Sequence, residues 1–276
     1  MEKPTCLAIF IISISLIVSC DSVSSSQKTN LLPIEHGMRI VVQEAYQPTS
    51  EYNKAVKPHI QLLMQTNDTF SCLGYHIANK MNQTETELSI DILGVQKPDG
   101  PCPAALGPAT ARHKLNLNPG KYRVNFNYQK TERIQLTVTD SSLTVTAAKT
   151  NFIDPRAKTF WRYPRKSFAY LCSSHNAEAE KKCKELEKTL KSLFNLRSLT
   201  FPDYGVKPYP SVGNQYSHTA YYFYQNEAIF EKIGSVLNTY TDSTNITDSE
   251  TVYLSVKNWK NRGFSSWTDI DNKNSQ

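Results

Sequence analysis

The sequence predicts a mainly β protein in two bodies, an antiparallel β-sandwich followed by a smaller α+β body with the order β-α-β-β-α-β. Three observations carry this. Between Met38 and Ala147, short apolar–polar alternations recur between polar turns, which is the period of half-buried strands. After residue 150 the apolar spacing changes to that of helices. Before both, an apolar run from Leu7 to Val18 follows Lys3 and is too short to serve comfortably as a finished membrane span, so it reads as an export leader outside the fold.

That leader ends in Ile17-Val18-Ser19-Cys20. These four residues resemble the lipobox of bacterial lipoproteins. The resemblance implies that residues 1–19 are removed and that Cys20 becomes an acylated N-terminus. The protein is then tethered to the cell membrane or outer membrane on its extracytoplasmic side. Each buried methylene adds about 0.8 kcal/mol, so several acyl chains hold durably where one is marginal. Residues 20–33 are Ser-rich without apolar periodicity and form a flexible tether. Two other readings stay open: an ordinary secretory leader cut among Ser22, Ser24 and Ser25, and a eukaryotic secreted glycoprotein bearing the acceptor triplets at Asn67, Asn82 and Asn245.

The chain holds 31 Lys and Arg against 25 Asp and Glu, a formal +6. That excess suits anionic surroundings and equally suits a solvated surface. With Cys6 in the leader and Cys20 carrying lipid, four cysteines remain for an oxidising compartment. Of the three connectivities, Cys72 with Cys102 and Cys172 with Cys183 keeps each bridge within one body. No CxxC spacing points to redox or zinc chemistry.

In the first body, residues 34–150, strands are predicted at Met38–Ala45, His59–Thr66, Ser71–Ala78 and Glu87–Leu93, then at His113–Leu117, Lys121–Tyr128, Arg133–Thr139 and Leu143–Ala147. Tyr122, Val124, Phe126 and Tyr128 share one face and Arg123, Asn125 and Asn127 the other. Seven or eight such strands predict the sandwich. The segment Leu115-Asn-Leu117-Asn-Pro119-Gly120-Lys-Tyr122-Arg-Val124 resembles the turn-into-strand of transthyretin-like and carboxypeptidase-regulatory-like domains, which share the Ig-like sandwich architecture. Pro119 and Gly120 preset the turn, so Tyr122 swings back over the core. The resemblance implies a fold and transfers no activity.

Residues 151–165 read as a linker, residues 166–260 as the second body and residues 261–276 as a polar tail. A strand at Phe168–Cys172 precedes a helix capped by Asn176, with Ala179, Cys183, Leu186, Leu190, Leu193 and Phe194 on its apolar stripe. A strand at Leu196–Phe201, a Pro- and Gly-rich loop, a strand at His218–Tyr224, a helix at Glu227–Thr239 and a strand at Val252–Val256 follow. The order resembles the ferredoxin-like split βαβ unit.

No zincin, nucleophile-elbow, phosphate-loop, dinucleotide or EF-hand motif is present, so neither enzymatic activity nor a metal or cofactor is expected. Two constellations suit binding. In Phe160-Trp161-Arg162-Tyr163-Pro164-Arg165-Lys166, aromatics alternate with cations, a composition for stacking on sugars and forking onto carboxylate or phosphate. The same residues suit a linker whose aromatics pack between the bodies. The second constellation is Tyr216, Tyr221, Tyr222, Phe223 and Tyr224 with Trp259 and Trp267, which marks an interaction surface if the sheet face is open. Together they predict a protein or acidic glycan partner for a non-enzymatic envelope protein, or a structural role in the envelope, and no nucleic acid. The rival is an envelope hydrolase of wall polymer or glycan with His218 or His175 as base.

Overall fold

The computed structural model describes residues 30–46, 57–147, 150–174, 176–208, 218–243 and 252–265. Cys20, His175, Tyr216, Asn245 and Trp267, together with the leader and most of the tether, lie outside the described residues.

The alternation up to Ala147 becomes eight strands: β1 (Met38–Ala45), β2 (His59–Phe70), β3 (His76–Gln83), β4 (Glu87–Gln96), β5 (Gly107–Leu115), β6 (Gly120–Asn127), β7 (Thr131–Val138) and β8 (Ser142–Ala147). Two short strands follow, β9 (Ile153–Pro155) and β10 (Thr159–Trp161). All ten belong to one mixed sheet in the order β10-β8-β7-β6-β4-β3-β5-β2-β1-β9. Hydrogen bonding is continuous through it, so the sheet encloses its core by curling rather than by facing a second, separate sheet.

The stretch Ile153–Trp161, inside the segment expected to be a linker, explains how the ends meet. Its first half pairs parallel with β1, its second half antiparallel with β8. Between the two, Arg156 N–H donates to Ile40 O (3.1 Å), and Val145 N–H donates to Lys158 O (2.7 Å). The entrance is fixed by Glu132, whose carboxylate accepts from the amides of Asn151, Phe152 and Ile153 (2.8–3.1 Å). Inside the curl lie Met38, Ile40, Leu62, Met64, Leu88, Ile90, Phe126 and Leu136, all essentially inaccessible. Tyr122 is buried and its hydroxyl donates to Asn118 O (2.8 Å), the return over the core that the Pro119-Gly120 turn predicts.

Of the predicted strand boundaries that moved, one has a local cause. Ser71–Ala78 splits, because Cys72 sits in a turn bonded to Cys102 and β3 starts only at His76. Opposite β3, Gly94 adopts φ +138 at a register shift, and a Cβ there would stand 2.8 Å from Leu32 O. Both expected disulfides form, with Cα separations of 5.8 Å (Cys72–Cys102) and 5.9 Å (Cys172–Cys183).

The second sheet is antiparallel and five-stranded. Its strands are β11 (Ser167–Ser174), β12 (Arg197–Ser198), β13 (His218–Phe223), β14 (Val252–Asn258) and β15 (Gly263–Ser265), ordered β12-β13-β11-β14-β15. Helices α1 (Ala177–Leu193) and α2 (Glu227–Ser243) cover one face. Asn176 is the N-cap of α1, its side chain accepting from Ala179 N–H (2.8 Å). Ala179, Cys183, Leu186 and Leu190 from α1 meet Phe230, Ile233 and Leu237 from α2 over Phe168, Tyr170, Val252, Leu254 and Val256.

The opposite face carries Ala169, Leu171 and Tyr221, covered by Tyr163 and Tyr46. After β12 the chain crosses to the first sheet, where Trp161 N–H donates to Val206 O (2.8 Å) and Val206 N–H to Thr159 O (2.9 Å). Gly205 permits this approach: it has φ +82, and a Cβ would stand 2.8 Å from Thr159 O.

Candidate functional site

Where the end of β1, the turn before β8, the segment after β10 and the turn after β14 come together, they form a cleft of about 590 Å³. Arg162, Tyr163 and Arg165 from the first predicted constellation line it, together with Trp259 from the second. Lys57, Asp140, Ser141 and Lys260 complete its polar wall.

The floor is set by one pair. Along β1 the inward stripe Met38, Ile40, Val42 ends in Glu44, a carboxylate only 8% exposed. A buried carboxylate needs a partner. Arg162 supplies it, its Nε and Nη2 donating to Glu44 Oε1 at 3.0 and 2.9 Å, while Nη1 donates to Thr139 O at 2.6 Å. Tyr46 OH donates to the other carboxylate oxygen (2.6 Å). The guanidinium is thereby fixed in place and its charge matched.

The aromatic wall is held as firmly. Trp259 Nε1–H donates to Tyr224 OH (3.0 Å), and Lys260 Nζ lies 5.2 Å from the centre of the indole while pairing with Glu227 (3.1 Å). Tyr163 is buried and packs edge-on to Tyr46, with centroids 5.8 Å apart. Lys57 and Arg165, by contrast, are exposed and make no ion pair among the described residues.

The other predicted residues are used elsewhere. Trp161 donates its indole N–H to Tyr204 O (2.7 Å) and packs beside Phe201 and Tyr204, stitching the two sheets together outside the cleft. Tyr222 and Tyr224 do not form an open aromatic face. Both are 4% exposed, because their side of β13 is the side that α1 and α2 cover. Burial pushes both hydroxyls above the ordinary tyrosine range, with Glu187 and Glu227 respectively adding to the effect. Phe160 is buried at the edge of the first core, and Lys166, with φ 58, turns the chain into β11. His218 Nε2 is 2.6 Å from Glu187 Oε2, and Tyr222 OH donates to the other oxygen of the same carboxylate.

Sequence reasoning missed Lys57, Asp140 and Lys260, which lie outside the strands, just before β2, before β8 and after β14 respectively. Glu44 did carry a signal, since it is a charge at an inward position of an otherwise apolar alternation. Chemically, the cleft offers hydrogen-bond donors, the carboxylate of Asp140 in addition to the Arg162-bound Glu44, aromatic surface and, in Lys57 and Arg165, cations with no ion pair among the described residues. The cleft lining contains neither histidine nor cysteine. Among the described residues no three His, Cys, Asp or Glu side chains converge as a metal site. No family model, curated protein or solved structure matches the chain.

Proposed function

We propose that this chain is a bacterial envelope lipoprotein, anchored through Cys20, that binds a protein or glycan partner in the cleft between its two sheets and catalyses no reaction. In this reading the curled sheet acts as a transthyretin-like or Ig-like sandwich that spaces the site from the membrane. The second sheet is a ferredoxin-like unit that supplies Trp259, and its β12-β13-β11-β14 order with both helices on one face supports that reading. One observation carries the functional proposal: Arg162, Tyr163 and Arg165 share a single cleft with Trp259, which lies in another part of the chain. A concave, aromatic-lined pocket with a few placed polar groups is the ordinary form of a binding site.

The test has two parts. Intact mass of the protein extracted from native membranes is expected to report acyl chains at Cys20, and a photo-crosslinking residue in place of Ser141 is expected to capture a partner in living cells. A water-soluble product with an unmodified thiol removes the anchor, and the absence of any captured species removes the binding role.

The hydrolase reading draws on the His218–Glu187 pair, a base oriented by a carboxylate. It requires turnover of wall polymer or glycan that His218→Ala abolishes while the fold persists.

A further inference from the structure

Resting on the binding reading above, we infer that the ligand of the cleft is an anionic saccharide, its ring laid against Trp259 and its carboxylate or phosphate held by Arg165 and Lys57. The assignment follows from which groups are already engaged. Arg162, the most conspicuous cation of the sequence motif, has Nε, Nη1 and Nη2 committed to Glu44 and Thr139. Its role is to position the cleft floor. Lys260 is matched by Glu227. Lys57 and Arg165 remain as cations at the cleft without an ion pair among the described residues, and both are exposed to an entering ligand.

An anion alone would not need the rest of the lining. Trp259 is fixed at its edge by Tyr224 and on one ring face by Lys260, which lowers the ordering cost of stacking on it. Asp140 and Ser141 add acceptors to the same lining. Sugar hydroxyls require acceptors as well as donors, whereas a bare anion would be repelled by Asp140. A volume of about 590 Å³ accommodates a short oligosaccharide within a concave wall. A flat membrane surface or protein face would reach only its rim.

The test is calorimetric titration of the detergent-extracted full chain with four probes: trigalacturonate, its neutral trigalactose counterpart, galactose 6-phosphate and inorganic phosphate. A charge-assisted contact changes affinity by about tenfold. Trigalacturonate or galactose 6-phosphate is therefore expected to bind about tenfold or more tightly than trigalactose, and the stronger of the two identifies the anion. Arg165→Gln and Lys57→Gln, both at exposed positions, are each expected to weaken that binding by about tenfold with unchanged far-UV circular dichroism. Trp259→Leu is expected to weaken all three saccharide probes.

Equal affinity for trigalactose, indifference to Arg165→Gln, or inorganic phosphate binding as tightly as the sugars overturns the assignment. Capture of a protein from position 141 with no saccharide binding also overturns it, while leaving the cleft as a binding site. Failure of both experiments removes the two readings together.

Discussion

Replacing Arg162 by alanine removes the partner of a carboxylate that the fold keeps out of water. Glu44 is 8% exposed and Arg162 22% exposed at their side chains, with Nη2 2.9 Å from Oε1. Breaking a buried pair from one side typically costs about 3–5 kcal/mol, because the remaining charge is stranded. The partial exposure of the guanidinium and the surviving bond from Tyr46 place this case near the lower end, at about 3 kcal/mol. For a chain of this size that corresponds to a fall of roughly 6–12 °C in melting temperature.

The double replacement Glu44→Leu with Arg162→Met leaves no stranded charge. It is expected to recover most of the loss, ending within about 1 kcal/mol of the parent. Urea unfolding followed by circular dichroism measures the parent and both variants. If Arg162→Ala loses less than about 1 kcal/mol, or the double variant is as unstable as the single one, the cleft floor is not organised by this pair.

Three further outcomes are expected. Removing the Cys72–Cys102 bridge by replacing both residues with serine frees a loop with a sequence separation of 30 and costs about 3–4 kcal/mol in the chain-entropy picture, read as a lower urea midpoint with a steeper slope, because the freed unfolded chain exposes more surface. His36 is held above its ordinary value of 6.5 by its hydrogen bond to Asp68. Burial raises Asp68, but the bonds it accepts from the His36 side chain and the His36 and Glu35 amides outweigh this and bring it below 3.8. The pair therefore stabilises between those ordinary values, losing its effect as pH rises through the histidine's raised pKa or falls through the aspartate's lowered one. Asp68→Asn should return His36 to an ordinary titration by NMR. Burial brings Lys257 down to about 8, so its native state sheds a proton before the unfolded chain does. Its contribution to stability rises with pH from about 8 towards 10.5, and Lys257→Met should flatten that rise in urea midpoints taken across this range.

Much of the local structure was legible because its causes are local. Met38, Arg39 and Ile40 begin an alternation that Val41 and Glu44 interrupt, and β1 has the predicted bounds Met38–Ala45 with its even-numbered side chains inward. Asn176 caps α1, and Ala179, Cys183, Leu186 and Leu190 of the predicted stripe are buried, whereas Leu193 in the last turn is 61% exposed and Phe194 is the C-cap. β9 and β10 were not legible. Three residues each are too short to show a period, and each exists only because an edge of the first sheet offers it partners. The misplaced open face of β13 has a related cause. Alternation separates Tyr221 from Tyr222 onto opposite sides, but which side the helices take is not a property of the strand.

For the site, the chain itself marked Arg162, Tyr163, Arg165 and Trp259 by composition, since aromatic rings and fixed cations can be read one residue at a time. It also determined the strand periods, the helix cap and the pairing of cysteines by simple nearness. Only the tertiary structure decided that Arg162 answers Glu44, 118 residues away, that Trp161 faces out of the cleft, and that Lys57 and Arg165 have no ion pair among the described residues. The physical reason is that periodicity and caps depend on neighbours within a turn or two, whereas charge matching depends on distance in space, which is settled when the curled sheet closes and the second sheet docks against it.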